Sequence, residues 1–310
     1  MGSSFLRGTL GDRWLSPVSM NNSPAPSTYI LTLSCEDRVG IVAAVTGHLA
    51  QLGGFILDSQ QYADLEAERF FLRVEFKDTR EADTERLGDL RAGFVAIARQ
   101  FDLSWELLAS SHRPKLLIAV SKGSHCLNDL LHRWQTDNLP VDVVGVVSNH
   151  PDLRRLAEWH GVAYHHLPVS AENREEQEQK LMALFNESGA ELLVLARYMQ
   201  VLSPALIEKM AGRCINIHHS FLPSFKGARP YHRAHQRGVK LIGATAHFVT
   251  SELDEGPIIE QDVERVDHRC TEQDLIRLGR DIEARVLARA VRWAAERRVF
   301  LNGARTLVFR

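Results

Sequence analysis

The stretch Leu192-Leu193-Val194-Leu195-Ala196-Arg197-Tyr198-Met199-Gln200-Val201-Leu202-Ser203-Pro204, continued at Cys214-Ile215-Asn216-Ile217-His218, changes its period twice. Leu192–Ala196 is an unbroken apolar run of strand length, which fits a strand buried on both faces. Pro204–Met210 begins with proline and ends before Gly212, residues that helix termini favour at those places. Cys214–His218 is then a second strand. Strand, short helix and strand in succession make a crossover between parallel strands.

The same alternation extends in both directions. Upstream, strands at Lys115–Ser121, Val141–Ser148 and Ala163–Leu167 alternate with helices at Leu127–Trp134, Asp152–His160 and Glu175–Asn186. Downstream, strands at Leu241–Val249 and Ile258–Val266 precede a long helix from Thr271, where Asp274 stands at capping-box spacing. Leu275, Leu278, Ile282, Val286, Ala290 and Trp293 give that helix one apolar stripe, and the Arg-rich remainder of Arg277–Arg298 reads as a solvated face. Asn302-Gly303 between Val299–Leu301 and Thr306–Phe309 predicts a terminal hairpin. Residues 115–310 therefore read as an α/β domain with a Rossmann-like, mostly parallel sheet.

The chain before Pro114 follows another pattern. Tyr29, Leu31 and Leu33 alternate as a strand does, and Ile41, Val45, Leu49 and Leu52 then recur at helical spacing, with Asp37 as candidate cap and Gly53-Gly54 as stop. Strands at Phe55–Gln60 and Arg69–Phe76, a helix through Leu87, Leu90, Phe94, Ile97 and Phe101, and a strand near Leu103–Leu108 complete the order βαββαβ. That order predicts a ferredoxin-like domain over 28–109. Ser110–Pro114 reads as a linker. Residues 1–27, rich in Ser, Asn and Pro toward their end, read as a disordered leader and not a signal peptide, with Met20 an alternative start.

Composition narrows the function. The 310 residues are 45% apolar and 25% charged, with 37 Lys and Arg against 39 Asp and Glu, so no global field favours nucleic acid or an anionic membrane. No apolar run approaches the ~20 residues that cross a bilayer. Cys35, Cys126, Cys214 and Cys270 form no CxxC pair, which argues against a disulfide framework and for a reducing cytoplasm. His165-His166 and His232-Arg233-Ala234-His235 offer imidazoles, but no HExxH occurs and no metal site is expected. Arg229, His232 and His247 read instead as residues lining or supporting a site.

In an open parallel sheet, ligands sit beyond the carboxyl ends of the strands. Asn216 and His218, one residue apart at such an end, share a face. Asp254 comes from the loop after Leu241–Val249. An amide, an imidazole and a carboxylate suit attack on a carbonyl: the amide stabilises an oxyanion, the imidazole carries a proton, and the acid orients it. A strand-end His and Asn also serve as ordinary hydrogen-bonding residues that tie down a loop.

The runs Asn216-Ile217-His218-His219-Ser220-Phe221-Leu222-Pro223-Ser224-Phe225-Lys226-Gly227-Ala228 and Gly243–Ile259 resemble, in order, the two signatures of the formyltetrahydrofolate-using formyltransferase fold. Cys35–Val42 followed by Leu52-Gly53-Gly54 resembles an ACT domain. An ACT domain fused to such a domain resembles the 10-formyltetrahydrofolate deformylase family. The resemblance implies that Asn216, His218 and Asp254 are catalytic. It also implies that Arg197, Tyr198, Met199, Gln200, Val201 and Leu202 hold the folate, with His247, Thr250 and Leu253 lining the pocket. It implies further an amino-acid effector near Asp37, Val39, Gly40 and Ile41, a homo-oligomer formed by ACT pairing, no tightly bound cofactor, and formate supply for purine synthesis.

The formyltransferases that make formylglycinamide ribonucleotide carry a Gly- and Ser-rich phosphate loop ending in Ser-Asn, where this chain has Ser121-Lys122-Gly123-Ser124-His125-Cys126. They also have Pro and Gly where this chain has His219 and Glu255. Both departures resemble the hydrolytic branch. Transfer of the formyl group to an amine, and an amino-acid-sensing binding protein, are the alternative readings.

Overall fold

A computed structural model describes residues 28–80, 86–223 and 230–310. The expected leader with Met20, the motif residues Ser224–Ala228 and the candidate Arg229 lie outside the described residues.

The N-terminal region contains β1 (Thr28–Glu36), α1 (Ile41–Gln51), β2 (Gly54–Asp64), β3 (Arg69–Asp78), α2 (Arg86–Phe101) and β4 (Ser104–Ala109). Its strands form an antiparallel sheet ordered β2-β3-β1-β4. Leu31, Leu33, Leu72, Val74 and Phe76 pack against Ile41, Val45 and Leu49 of α1 and Phe94 of α2. Asp37 does not cap α1: the N-cap is Gly40, at φ 97°, and no side-chain capping bond is made there among the described residues. That left-handed turn suits glycine, which has no Cβ to clash. β3 is covered on both faces. Phe71 and Arg73, opposite the helix-facing residues, are buried against the C-terminal chain, with the Phe71 and Phe300 rings 5.8 Å apart and Arg73 Nε donating to the Glu296 carbonyl at 3.3 Å.

The second half runs β5 (Lys115–Val120), α3 (His125–Gln135), β6 (Asp142–Ser148), α4 (Arg154–Trp159), β7 (Tyr164–His166), α5 (Arg174–Glu187), β8 (Leu192–Leu195), α6 (Pro204–Lys209) and β9 (Cys214–His218). It continues with α7 (Pro230–Gln236), β10 (Leu241–Phe248), β11 (Ile258–Arg265), α8 (Glu272–Ala295), β12 (Val299–Asn302) and β13 (Arg305–Val308). Seven strands form one sheet ordered β11-β10-β9-β8-β5-β6-β7. From β9 to β7 neighbours are parallel, and β10 and β11 are added antiparallel. One face packs on α3 and α8, the other on α5 and α6. Ser203 caps α6 ahead of Pro204, and Thr271 with Asp274 closes a capping box on α8. β12 and β13 form the expected hairpin.

Candidate active site

The carboxyl half of β9 and the residues of β10 that pair with it define the site. Antiparallel pairing sets Thr245 opposite His218 and His247 opposite Asn216. Past β10 the chain turns through Thr250–Gly256 and returns as β11, and this turn carries Asp254 at φ 58°. Arg197, just after β8, is at φ 67°. A non-glycine residue in this region costs on the order of 1–3 kcal/mol and persists where its surroundings over-determine it. Two such residues flank one crevice.

His218 is buried, and its Nδ1 lies 3.2 Å from Asp254 Oδ1. The bond to His218 holds the Asp254 carboxyl below the usual carboxylate range, against burial, which raises it. An ionised Asp254 accepts, so Nδ1 carries the proton and Nε2 is left buried with no partner among the described residues. His247 Nδ1 donates to the Phe248 carbonyl at 2.9 Å, and burial pushes this imidazole toward its neutral form. Its Nε2 is then an acceptor, 3.2 Å from Asn216 Nδ2. The Asn216 amide therefore presents its NH2 group here and keeps a second N–H for another acceptor. The arrangement pairs a donor for a developing oxyanion with an imidazole oriented to take and return a proton.

These groups line a cavity of about 590 Å³. Its walls include all of Arg197–Leu202, together with His247, Thr250 and Leu253. Met199, Val201 and Leu253 are exposed apolar residues at its mouth, and such surface marks a binding groove more often than chance exposure.

A second layer was not legible as function. Glu283 of α8 is 1% exposed and accepts from Tyr231 Oη at 2.6 Å. Its Oε2 lies 2.8 Å from His125 Nε2 and 3.3 Å from Arg197 Nε. Burial raises its pKa, but these donors outweigh burial and leave it lowered, hence ionised. Arg197 Nη1 in turn donates to His219 Nδ1 at 2.7 Å. Burial first, then Arg197 and His218, push His219 down to about 4. The neutral His219 ring stacks on His218 with centroids 4.6 Å apart and planes at 24°. The available signal was an acid among the apolar positions of α8, next to Ile282 and one turn from Gly279 and Val286.

The other candidates disperse. His232 bonds Glu272 and Gln236 and does not line the cavity. His125, Cys126 and Glu283 bring metal-ligand atoms within 4.8 Å of one another, but the Glu283 carboxylate already serves His125, Arg197 and Tyr231. Asp37, Val39 and Gly40 lie on an exposed turn, while Ile41 points into the core.

Residues 114–291 match the family described as formyl transferase. The formyltetrahydrofolate deformylase of Corynebacterium sp. (strain P-1) is 53% identical over 282 residues, covering 91% of this chain and 98% of the relative. That of Bacillus subtilis (strain 168) is 47% identical over 280 residues, covering 90% and 93%. The crystal structure of formyltetrahydrofolate deformylase from Burkholderia mallei ATCC 23344 is 52% identical with a TM-score of 0.88, covering 92% of this chain and 100% of that one. Matches of this extent take in both sheets.

Proposed function

Because the chain belongs to the formyltetrahydrofolate deformylase family, we propose that it hydrolyses 10-formyltetrahydrofolate to formate and tetrahydrofolate. The observation that carries this reading is the convergence of Asn216, His218 and Asp254 on the wall of one apolar-mouthed cavity. The folate occupies that cavity with its ring along Arg197–Leu202 and its formyl group toward β9. A water molecule held by His218 and Asp254 gives a proton to His218 Nε2 as its oxygen bonds to the formyl carbon. The spare N–H of Asn216 receives the oxyanion. As the carbon–N10 bond breaks, His218 returns the proton to N10, and formate leaves as its anion with release of one proton. The same imidazole thus acts as base and then as acid. No cofactor is required for this sequence.

Along the chain we assign residues 28–109 to an ACT-like regulatory domain, 110–114 to a linker and 115–310 to the catalytic domain. The exposed turn at Asp37–Gly40, with Ile41 behind it, is the proposed amino-acid effector site. The outer edge of β2, which pairs with no strand among the described residues and has Phe55, Leu57 and Tyr62 exposed, supports pairing with a second copy. Four free cysteines support a reducing cytoplasm. Among the described residues no helix is long and apolar enough to cross a membrane. In that setting the formate released supplies purine synthesis and balances the one-carbon pool.

The test is a direct assay of purified protein with 10-formyltetrahydrofolate and no amine present. Formate and tetrahydrofolate are expected in equal amounts. Formyl transfer that starts only when glycinamide ribonucleotide is added would overturn hydrolysis.

A further inference from the structure

Glu283 is a buried carboxylate that the hydrolytic steps above do not use. It sits in the middle of α8, and its three donors come from three other elements: His125 from α3, Arg197 from the loop after β8, and Tyr231 from α7. Gly279, one turn earlier on α8, leaves room for the Tyr231 phenol, since a Cβ there would overlap it. So Glu283 has a built environment. Two of its partners reach onward to the same ring: Arg197 bonds His219, Tyr231 faces it, and His219 lies flat on His218.

Two consequences follow. An arginine only donates, so His219 Nδ1 must be an acceptor and its ring is held in one tautomer and one plane. The Arg197 cation also stands one ring away from the proton carrier. Charge facing His219 comes from Arg197, from His218, from Asp254 on the β10–β11 turn and from Glu283, and Tyr231 of α7 faces it with its ring. Without Glu283, the guanidinium would oppose the imidazolium that His218 becomes in the transition state.

We propose that Glu283 is a positioning residue for this hydrolysis: it anchors Arg197 so that His219 braces the His218 ring, and it cancels the guanidinium charge beside that ring. This assignment rests on the hydrolytic reading of the site. It gives His219 a task that a proline at that position could not perform, because the pyrrolidine ring offers neither an acceptor for Arg197 nor a flat face for His218.

The test compares kcat, KM and the pH profile of formate release in Glu283→Gln. We expect kcat to fall about 10–100-fold with KM within about threefold, and the acid limb of the kcat profile to move about one unit lower. Adding Arg197→Gln removes the stranded cation, and the acid limb is expected to return toward that of the unsubstituted protein. A purely structural role would lower activity without moving the limb. If Glu283→Gln does not fold, Arg197→Gln alone carries the test with opposite sign: His125 and Tyr231 still donate to Glu283 and keep it ionised, while the guanidinium beside the stacked His219 and His218 rings is gone. The limb is then expected to move up. An unmoved limb in a folded, active variant overturns the assignment. No formate release by the unsubstituted protein would instead defeat the hydrolytic reading itself.

Discussion

Asn216 and His247 stand directly opposite each other on β9 and β10, with the amide Nδ2 3.2 Å from the imidazole Nε2. The hydrogen bond from His247 Nδ1 to the Phe248 carbonyl makes this contact one-directional, so the sheet itself orients the amide. Asn216→Ala removes the proposed oxyanion donor and is expected to lower kcat about 10²–10³-fold. Steady-state formate release measures it. A drop below tenfold would place the oxyanion elsewhere.

Asp254 selects the His218 tautomer through Nδ1. Asp254→Asn offers that nitrogen a group of nearly the same shape without the charge. The expected loss in kcat is at least about 10³-fold. His218→Ala should be at least as inactive, with the far-ultraviolet circular dichroism of both variants unchanged. Substantial turnover by folded His218→Ala would exclude this ring as the proton carrier.

Gly256 lies against β10 so closely that an added Cβ would overlap the Phe248 carbonyl, and it would stand 3.1 Å from His247 Nδ1. Gly256→Ala must therefore push backbone away from backbone, or displace the acceptor that fixes His247. We expect a destabilisation of about 2 kcal/mol or more, read as a lower denaturant midpoint, and a loss of activity larger than that instability explains.

Met199 and Leu253 are 60% and 61% exposed at the cavity mouth. Covering such a side chain with substrate contributes about 1–2 kcal/mol. Met199→Ser and Leu253→Ser are expected to raise KM about three- to tenfold with little change in kcat. A fall in kcat at constant KM would assign these side chains to the transition state and not to binding.

Acid should weaken the fold through two imidazoles. His219 is pushed down to about 4 and His247 is pushed down as well, both chiefly by burial. The unfolded chain protonates them below about 6.5 while the folded chain does not, so stability is full above that pH and is lost as the pH falls toward about 4. For His219 the loss is on the order of 2–3 kcal/mol, reduced by its partial exposure. Thermal midpoints taken from pH 7.5 to 5 are expected to fall, and less steeply in His219→Asn. Parallel curves would remove His219 from the balance.

Sequence periodicity carries most of the architecture because each strand and helix has one dominant apolar pattern. β9, with Cys214–His218, matches its sequence reading residue for residue. β2 is longer than its pattern implies, since Gln61 and Tyr62 are held in the strand by pairing with Leu72 and Phe71 of β3 and not by their own alternation. Similarly, α7 has no apolar stripe in Tyr231–Gln236 to mark it, and it forms where tertiary packing against α8 supports it. Asn216 and His218 could be grouped in advance because they share a face at a strand end, and Asp254 joined them through the second sequence signature, although β10 runs antiparallel and its turn must fold back to bring Asp254 to His218. Glu283 could not, since its meaning depends on which loops α8 passes.

α8 holds Arg197, on the wall of the candidate crevice, through Glu283 and ends where the Glu296 carbonyl takes the buried Arg73 of the first sheet. The same rod therefore fastens both halves, and neither presents a finished exterior alone. A chain severed between the two sheets would leave Phe71 and Arg73 bare on one fragment and Phe300 bare on the other. Heating the intact chain should accordingly produce one melting event, with the crevice and the first sheet disappearing together.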